Sequence, residues 1–264
     1  MKYLLSICIL ALSLNASVYY AKVEPYEKYS IKASASGEVL SLFKEAEGRV
    51  SNGGVIIQID SFLNKKELAT SKTKLESLRR TMELTSKNVK NSKEVERIKK
   101  DNYEKIKNLK TKSRTSKDAE LINLINASNQ VLSLENSLEN LKVAISDLEY
   151  KIASLENTIA KKSVSIQKGF LIYKTYVDQG AYVNVGSPLV DAYDISKGKL
   201  TIYLSKEDVK LAKNSAIYIN DKKSNYKVNK IWKVVDTQNI SSYKAEIIIP
   251  APERFSELLK IEFK

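Results

Sequence analysis

A heptad stripe in the middle of the chain constrains its fold more than any other feature. Apolar residues follow one another at alternating steps of three and four, and they are Val131, Leu134, Leu138, Leu141, Ile145, Leu148, Ile152, Leu155 and Ile159. This spacing holds one face of a helix against a partner helix in a left-handed coiled coil. Neither Gly nor Pro occurs between Asp60 and Gly169. The sequence therefore predicts a long helical element, which usually provides reach rather than an enzyme's core.

The helical segment, residues 61–165, is predicted to be one antiparallel hairpin with a weaker first arm. The seam of that arm includes Ser and Thr and runs through Leu68, Ser71, Leu75, Leu78, Met82, Thr85, Val89 and Ser92. The stripe then shifts to Val95 and Ile98, which predicts a stutter. The chain is expected to reverse near residues 112–116, with Ser116 as the N-cap of the second helix. Arms of about 50 residues would be ~75 Å long.

Short β-type segments flank the hairpin on both sides. Residues 18–60 and 166–192 each contain β-branched runs between turns. The turn glycines are Gly37, Gly48, Gly54, Gly180 and Gly186. Gly48 and Gly54 are six residues apart, as are Gly180 and Gly186, and an apolar strand follows each pair. This internal repeat predicts one small β domain that the hairpin interrupts.

The remaining segment, residues 193–264, predicts a second β domain. It contains about five short strands, which suits a small barrel. The predicted fold class is therefore α+β: a long antiparallel α-helical coiled-coil hairpin inserted in a split β domain, followed by a small β-barrel domain.

Residues 1–17 have the pattern of a secretory signal peptide. Lys2 provides the positive start, Leu4–Leu14 is apolar, and Asn15-Ala16-Ser17 offers small residues for cleavage. An uncleaved anchor is the alternative, although a membrane span needs ~20 apolar residues. The only cysteine, Cys8, lies in this segment. A disulfide within the chain is excluded, and export without cysteine in the mature part predicts a periplasmic location.

The composition argues against enzymatic chemistry. The chain has no histidine, which excludes His-based acid–base catalysis, Ser-His or Cys-His pairs and His-ligated metal. Walker A, GxGxxG and GxSxG motifs are absent. We therefore predict no catalytic residues, no metal site and no cofactor.

The charge of the chain is unevenly distributed. Residues 61–117 contain 18 Lys and Arg against 7 Asp and Glu, whereas residues 118–165 contain 4 against 7. A basic segment can bind nucleic acid, but export of the chain, with only Phe62 and Tyr103 as aromatics in this segment, makes nucleic-acid binding unfavourable. We instead expect two solvated helix faces of opposite bias that attract each other.

The order of segments resembles the periplasmic adaptor, or membrane fusion, proteins of the HlyD type. Ser36-Gly37-Glu38-Val39 and Glu47-Gly48-Arg49-Val50 resemble the first half of that family's lipoyl-like domain. Gln179-Gly180-Ala181-Tyr182-Val183 and Gly186-Ser187-Pro188-Leu189-Val190 resemble its second half. The resemblance implies a lipoyl-like domain without a lipoyl group, because the hairpin replaces the turn that would carry a modified lysine.

The hairpin tip extends the resemblance to a docking motif. Adaptors that dock on TolC-like outer-membrane channels carry Arg-x3-Leu-x6-Ser across the tip, and here Lys105, Leu109 and Ser116 have that spacing. The resemblance implies that Leu109 packs in a groove of the channel while Lys105 and Ser116 contact polar groups. Lys keeps the charge of Arg but loses its planar fork. A seam role for Leu109 and a capping role for Ser116 are the structural alternative.

The resemblance implies a non-catalytic adaptor that bridges an inner-membrane transporter to a TolC-like channel for efflux of small molecules. Several copies would assemble as a homo-oligomeric ring, of which a hexamer is one form. An RND pump is favoured over an ABC transporter. A periplasmic coiled-coil scaffold and a type I secretion or ABC exporter adaptor are the alternatives. The family's membrane-proximal domain is expected to be absent or rudimentary, so the barrel would contact the transporter.

Overall fold

The computed structural model describes residues 17–235, 239 and 241–264. The predicted signal peptide and Cys8 lie outside this range, apart from Ser17. The chain divides into two compact units. We call them the β unit, which comprises the described part of residues 1–33, 39–58 and 164–264, and the hairpin unit, which comprises residues 34–38 and 59–163.

Strands and helices follow the order that the sequence predicts. The first elements are β1 (Val18–Lys32), β2 (Gly37–Leu42), a 3-10 turn (Lys44–Ala46), β3 (Gly54–Ile59), α1 (Phe62–Ile106) and α2 (Arg114–Lys161). The next are β4 (Ser163–Ile166), β5 (Phe170–Thr175), β6 (Tyr182–Val183), β7 (Pro188–Leu204) and α3 (Asp208–Asn214). The last are β8 (Ile217–Ile219), β9 (Lys222–Lys223), β10 (Val228–Ile231), β11 (Tyr243–Pro250) and β12 (Leu258–Phe263).

The hairpin unit consists mainly of two long antiparallel helices. α1 has 45 residues and α2 has 48, so each is roughly 70 Å long at 1.5 Å per residue. All nine apolar residues of the predicted α2 stripe are buried or half-buried, and residues between them are mostly exposed. The predicted heptad seam of the second helix is confirmed.

The predicted stutter in α1 is wrong. Val95 and Ile98 are 49% and 46% exposed, whereas Glu96 and Lys99 are half-buried. The α1 seam therefore continues without a break from Ser92 through Glu96 and Lys99. The α2 stripe has no matching shift, and two helices in one coiled coil must keep a common register to bury the same faces. The apolar pattern alone therefore predicted the wrong seam positions in the distal half of α1.

Ion pairs link the two helices at a fixed register. Lys72, Arg79 and Lys93 of α1 contact carboxylates of α2 at 2.6–2.7 Å. These α1 residues are spaced by seven and fourteen, and so are their partners Glu156, Glu149 and Glu135. The expected attraction between a basic and an acidic helix face is confirmed, although exposed pairs contribute at most about 1 kcal/mol each.

The β unit contains two sheets. The larger has the order β10-β11-β7-β1-β12-β8-β9, with β5 also pairing with β7, and the smaller has the order β4-β3-β2-β6. The amino-terminal part of β1 pairs with β12 and its remainder with β7. Strand β7 runs without interruption through residues 192 and 193, the predicted boundary between the two β domains. That division stays a prediction.

The core of the larger sheet is almost entirely aliphatic. Its buried residues are Ala21, Val23, Leu200, Ile202, Leu204, Ala212, Ile217, Ala245, Ile247, Leu259, Ile261 and Phe263. Gly198 of β7 lies where three strands approach closely, since a Cβ there would be 2.7 Å from Ile249 Cγ1 and 3.0 Å from Val23 Cγ1. The β unit thus has a core of its own, and its residues are more completely buried than most seam residues of the hairpin.

Candidate docking site at the hairpin tip

The tip is a short turn between the two helices. α1 ends at Ile106 and α2 begins at Arg114. The N–H of Leu109 donates to the Ile106 carbonyl at 3.0 Å, so the chain tightens after the last α-helical turn. Local backbone bonds therefore fix the loop that carries Leu109.

The N-cap of α2 is Ser113, and the prediction of Ser116 was wrong. Ser113 has extended backbone angles, and its side chain accepts a hydrogen bond from the Ser116 N–H at 3.2 Å. That bond satisfies one of the free N–H groups of the first turn. The helix begins three residues earlier than expected, and Ser116 lies within its first turn.

The structure brings the three predicted docking residues to the same end of the hairpin. Lys105 is exposed in the last turn of α1. Leu109 lies in the loop and is 44% exposed, so the seam does not take it up. Ser116 is half-buried in the first turn of α2. Their role in docking stays a prediction. The alternative role of Ser116 as the N-cap is wrong, because Ser113 caps the helix.

The charge of the tip is a feature that the docking motif does not include. Residues 105–117 contain six Lys and Arg and no Asp or Glu. Lys107 pairs with Glu104, and Arg114 lies 3.8 Å from Asp118, so both partners belong to the flanking helices. Counting charges over the loop instead of over whole helices would have found this feature.

The opposite end of the hairpin is closed by hydrogen bonds. Lys162 Nζ donates to the Asp60 carbonyl at 2.7 Å and to Asn64 Oδ1 at 2.8 Å, and the Ile59 N–H donates to the Lys162 carbonyl at 2.8 Å. A Cβ on Gly37 would lie 2.7 Å from Ile59 Cγ2. A side chain at position 37 would therefore clash with Ile59, which favours glycine there. The hydrogen bonds of Lys162 hold the two helix ends together.

Two of the predicted turn glycines form a reciprocal pair in the β unit. Gly48 has a φ of 76° and Gly180 a φ of 84°, values that favour glycine. The Gly48 N–H donates to the Ile172 carbonyl, and the Gly180 N–H donates to the Val39 carbonyl, both at 2.8 Å. Each glycine thus binds the other segment, before or after the hairpin. The remaining predicted turn glycines, Gly54 and Gly186, also have positive φ.

Three hydroxyl groups bind one carboxylate, Asp208, and join β1 to the start of α3, which the sequence did not indicate. Asp208 accepts hydrogen bonds from Ser17 Oγ at 3.0 Å, Ser205 Oγ at 2.9 Å and the Tyr19 hydroxyl. Burial and the Asp208 carboxylate raise the pKa of Tyr19 to about 12. A tyrosine that stays protonated and donates a hydrogen bond has a structural role here.

A second charged cluster lies on β12. The side chain of Glu262 is 7% exposed, and its carboxylate is 2.8 Å from Lys260 Nζ and also contacts Lys264. The ammonium groups of Lys260 and Lys264, which form ion pairs with the carboxylate, lower the pKa of Glu262 despite its partial desolvation. The carboxylate is therefore ionised at neutral pH and balances two lysines at the edge of the core.

No group of three or more His, Cys, Asp or Glu side chains within residues 17–235, 239 and 241–264 is arranged to hold a metal ion. Over the same part of the chain, none of the helices combines the length and apolarity that crossing a membrane requires.

Comparison with known proteins identifies the fold through solved structures. A scan against protein-family models finds no match, and a search of curated proteins returns no similar sequence. The structure of MacA from Actinobacillus actinomycetemcomitans aligns with a TM-score of 0.70 at 18% identity, over 94% of this chain and 78% of that one. The membrane fusion protein Spr0693 from Streptococcus pneumoniae R6 aligns with a TM-score of 0.64 at 12% identity, over 94% and 98%.

A third structure is informative about the hairpin. A MacA–MexA chimeric protein that contains the Pseudomonas aeruginosa MexA α-hairpin domain aligns with a TM-score of 0.54 at 16% identity, over 94% of this chain and 81% of the chimera. The predicted resemblance is confirmed at the level of the fold: this chain has the mixed α+β fold of membrane fusion proteins, with β-sheets and a helical hairpin.

Proposed function

We propose that the chain is a non-catalytic periplasmic adaptor of a tripartite efflux system. It would bridge an inner-membrane transporter, preferably an RND pump, to a TolC-like outer-membrane channel. The observation that carries this proposal is a hairpin of roughly 70 Å whose tip presents an exposed Leu109 between basic residues. Such an element provides reach and a contact surface, and solved structures with this fold include a membrane fusion protein.

The β unit would supply two further domains of the adaptor. We propose that residues 18–60 and 166–192 form a split lipoyl-like domain and that residues 193–264 form the β-barrel. The reciprocal bonds of Gly48 and Gly180 support the first part, because they join the segments on either side of the hairpin. The aliphatic core around β7, β11 and β12 supports the second.

Contact with the channel is assigned to Lys105, Leu109 and Ser116. Leu109 would pack into a groove of the channel, and Lys105 would supply a charge beside it. The exposure of both side chains and their position at one end of the hairpin support this role. Lysine provides a point charge rather than a bidentate fork, so we expect the contact to tolerate small changes of geometry.

Several copies of the chain would assemble into a ring. Large apolar side chains lie on the outer faces of the hairpin, away from its seam, and they are Leu84, Val95, Ile98, Ile122, Ile125, Leu132, Val143 and Tyr150. Isolated exposed apolar residues are common, but a row of them along two helices supports burial against neighbouring hairpins. Residues such as Val95, which the seam excludes, then have a contact to make.

Substitution at the tip tests the docking role. Leu109→Asp and Ser116→Arg should each abolish in vivo crosslinking to the channel and raise drug sensitivity, because a buried charge or a bulky cation prevents close contact. Leu63→Asp is a matched control, since Leu63 is 75% exposed at the other end of α1. Unchanged resistance and crosslinking in both tip variants, with normal helicity, would contradict the assignment.

Copurification tests the bridging role and the transporter class. Purification of the intact chain from crosslinked cells, followed by mass spectrometry, should recover a multi-span transporter together with an outer-membrane channel. An RND protein among the recovered partners supports the preferred form of the proposal. Recovery of neither a transporter nor a channel would overturn the adaptor function.

A further inference from the structure

The tip of the hairpin is surrounded by cations. We define the cationic collar as the six basic residues between the last turn of α1 and the first turn of α2, which are Lys105, Lys107, Lys110, Lys112, Arg114 and Lys117. All are exposed except Lys117, which is half-buried. The large aliphatic residues among them are Ile106, which is half-buried, and Leu109, which is 44% exposed.

Most of this charge has no compensating carboxylate. Within the described residues, the ion pairs of the collar are Lys107 with Glu104 and Arg114 with Asp118. No carboxylate of the described chain lies within 4 Å of the Nζ of Lys105, Lys110, Lys112 or Lys117. Toward the base of the hairpin, Lys72 and Arg79 are each paired with a glutamate of α2, whereas Lys65 and Lys74 have no carboxylate of the described chain within 4 Å.

The collar opposes the stability of the helix that it begins. The first turn of α2 contains no acidic residue, although the positive end of a helix dipole favours carboxylates there. Arg114 and Lys117 place cations at that end, and like charges crowd the loop before it. Arg114 has a long contact with Asp118, but Lys117 has no ion pair within the described residues. A helix start that lacks the preferred acidic residues is typical of a functional surface.

We propose that the collar recognises a protein surface rich in Asp and Glu carboxylates that surrounds a small apolar groove. This inference rests on the proposed adaptor function and names the chemistry of its outer-membrane partner. Charge complementarity supplies the argument, because six cations of one sign would gain most from an anionic rim while Leu109 enters the groove.

A protein surface fits the tip better than a lipid surface. Peripheral membrane binding requires a broad apolar face, usually of several aromatic and aliphatic side chains on one side of a helix. Here the seam half-buries Tyr103 and Ile106, which leaves Leu109 as the one aliphatic residue of the loop available for contact. A single leucine fits a side-chain pocket and contributes little to insertion into a bilayer.

The experiment reverses charges that the proposed docking motif does not use. Lys110→Glu combined with Lys112→Glu alters the collar and leaves Lys105, Leu109 and Ser116 intact. Lys65→Glu combined with Lys74→Glu makes the same change of net charge near the base of α1, where both lysines are exposed. Binding of the intact chain is measured against three probes: the copurified channel, poly-L-glutamate, and vesicles containing phosphatidylglycerol.

We expect the wild-type affinity for the channel to fall at least about tenfold between 50 and 300 mM NaCl, because exposed charges are screened over this range. The collar variant should bind the channel at least about tenfold more weakly at low salt, whereas the base variant should stay within about twofold. Poly-L-glutamate should show the same ranking, and the vesicles should not discriminate between the proteins.

The other outcomes are separable. A collar variant that binds the channel as tightly as the wild type overturns the inference and leaves the adaptor function standing. A wild-type chain that binds no channel but binds poly-L-glutamate through the collar contradicts the adaptor function and supports carboxylate recognition. Collar-dependent binding to vesicles without binding to poly-L-glutamate overturns the inference in favour of a lipid surface.

Discussion

The two helices of the hairpin follow the same heptad register with opposite chemistry. α2 fills its seam with Leu, Ile and Val, and Ile145, Ile152 and Leu155 are each less than a tenth exposed. α1 keeps the register with Ser71, Glu96 and similar polar residues. The difference teaches that one helix supplies most of the apolar surface, whereas the other is positioned by its partner and by charge.

The comparison predicts its largest effect in the α2 seam. Ile152→Ala should lower the free energy of unfolding of the hairpin by about 2–4 kcal/mol, because it removes a buried side chain and leaves a cavity. Leu132→Ala, at a position 55% exposed, is the control and should change it by less than about 0.5 kcal/mol. Urea unfolding followed at 222 nm measures both, and equal effects would break the comparison.

A substitution in the α1 seam should have the opposite sign. Glu96→Leu is expected to raise stability by about 1 kcal/mol, because it places an aliphatic side chain at a half-buried seam position. Val95→Glu, one residue away and 49% exposed, should be nearly neutral. If the stutter existed, the ranking of the two variants in thermal unfolding would be reversed.

The ion pairs between the helices should give a smaller effect. A double-mutant cycle on Arg79 and Glu149, which lie 2.7 Å apart, should give a coupling energy of about 0.2–1 kcal/mol. The coupling should decrease as salt is raised, since both side chains are about half exposed. A coupling that is zero at low salt would mean that charge does not help to set the register of α1.

The smallest change of stability at neutral pH is expected from neutralising Glu262 in the β unit. Its carboxylate is buried, unlike those of the exposed pairs in the hairpin. The pKa of Glu262 is lowered by Lys260 and Lys264, so its contribution is complete above about pH 4.3 and is lost as the pH falls through the folded-state pKa. Glu262→Gln should therefore lower Tm at pH 7 and lose this difference in acid. Scanning calorimetry at several pH values measures it, and a difference that grows in acid would contradict the assignment.

The sequence was sufficient for the α2 helix because nine regularly spaced apolar residues leave one face to bury. It was misleading for α1, where Val95 and Ile98 form an apolar pattern that the register of the partner overrides. The predicted N-cap was three residues too late because Ser113 and Ser116 have the same capping chemistry. Only the backbone geometry shows which of them caps the helix. The pairing of β1 with both β12 and β7 depends on contacts between distant segments, which local patterns do not encode.

The candidate site was predictable in its position and less so in its chemistry. The spacing of Lys105, Leu109 and Ser116 predicted a docking surface at the reversal, and the structure brings these residues to one end of the hairpin. The cationic collar was not predicted because residues 61–117 are basic throughout, so their total charge does not reveal a cluster of six cations at one end.

The closed base of the hairpin has a consequence for the order of folding. Gly48 and Gly180 are joined to segments on the other side of the helices, and closing a flexible loop of ~100 residues would cost about 4 kcal/mol in chain entropy. The bond between the Ile59 N–H and the Lys162 carbonyl holds the two helix ends together. Because local contacts form faster than pairing between distant strands, we expect the hairpin to form first and to act as a template for the strands on either side of it in the sequence.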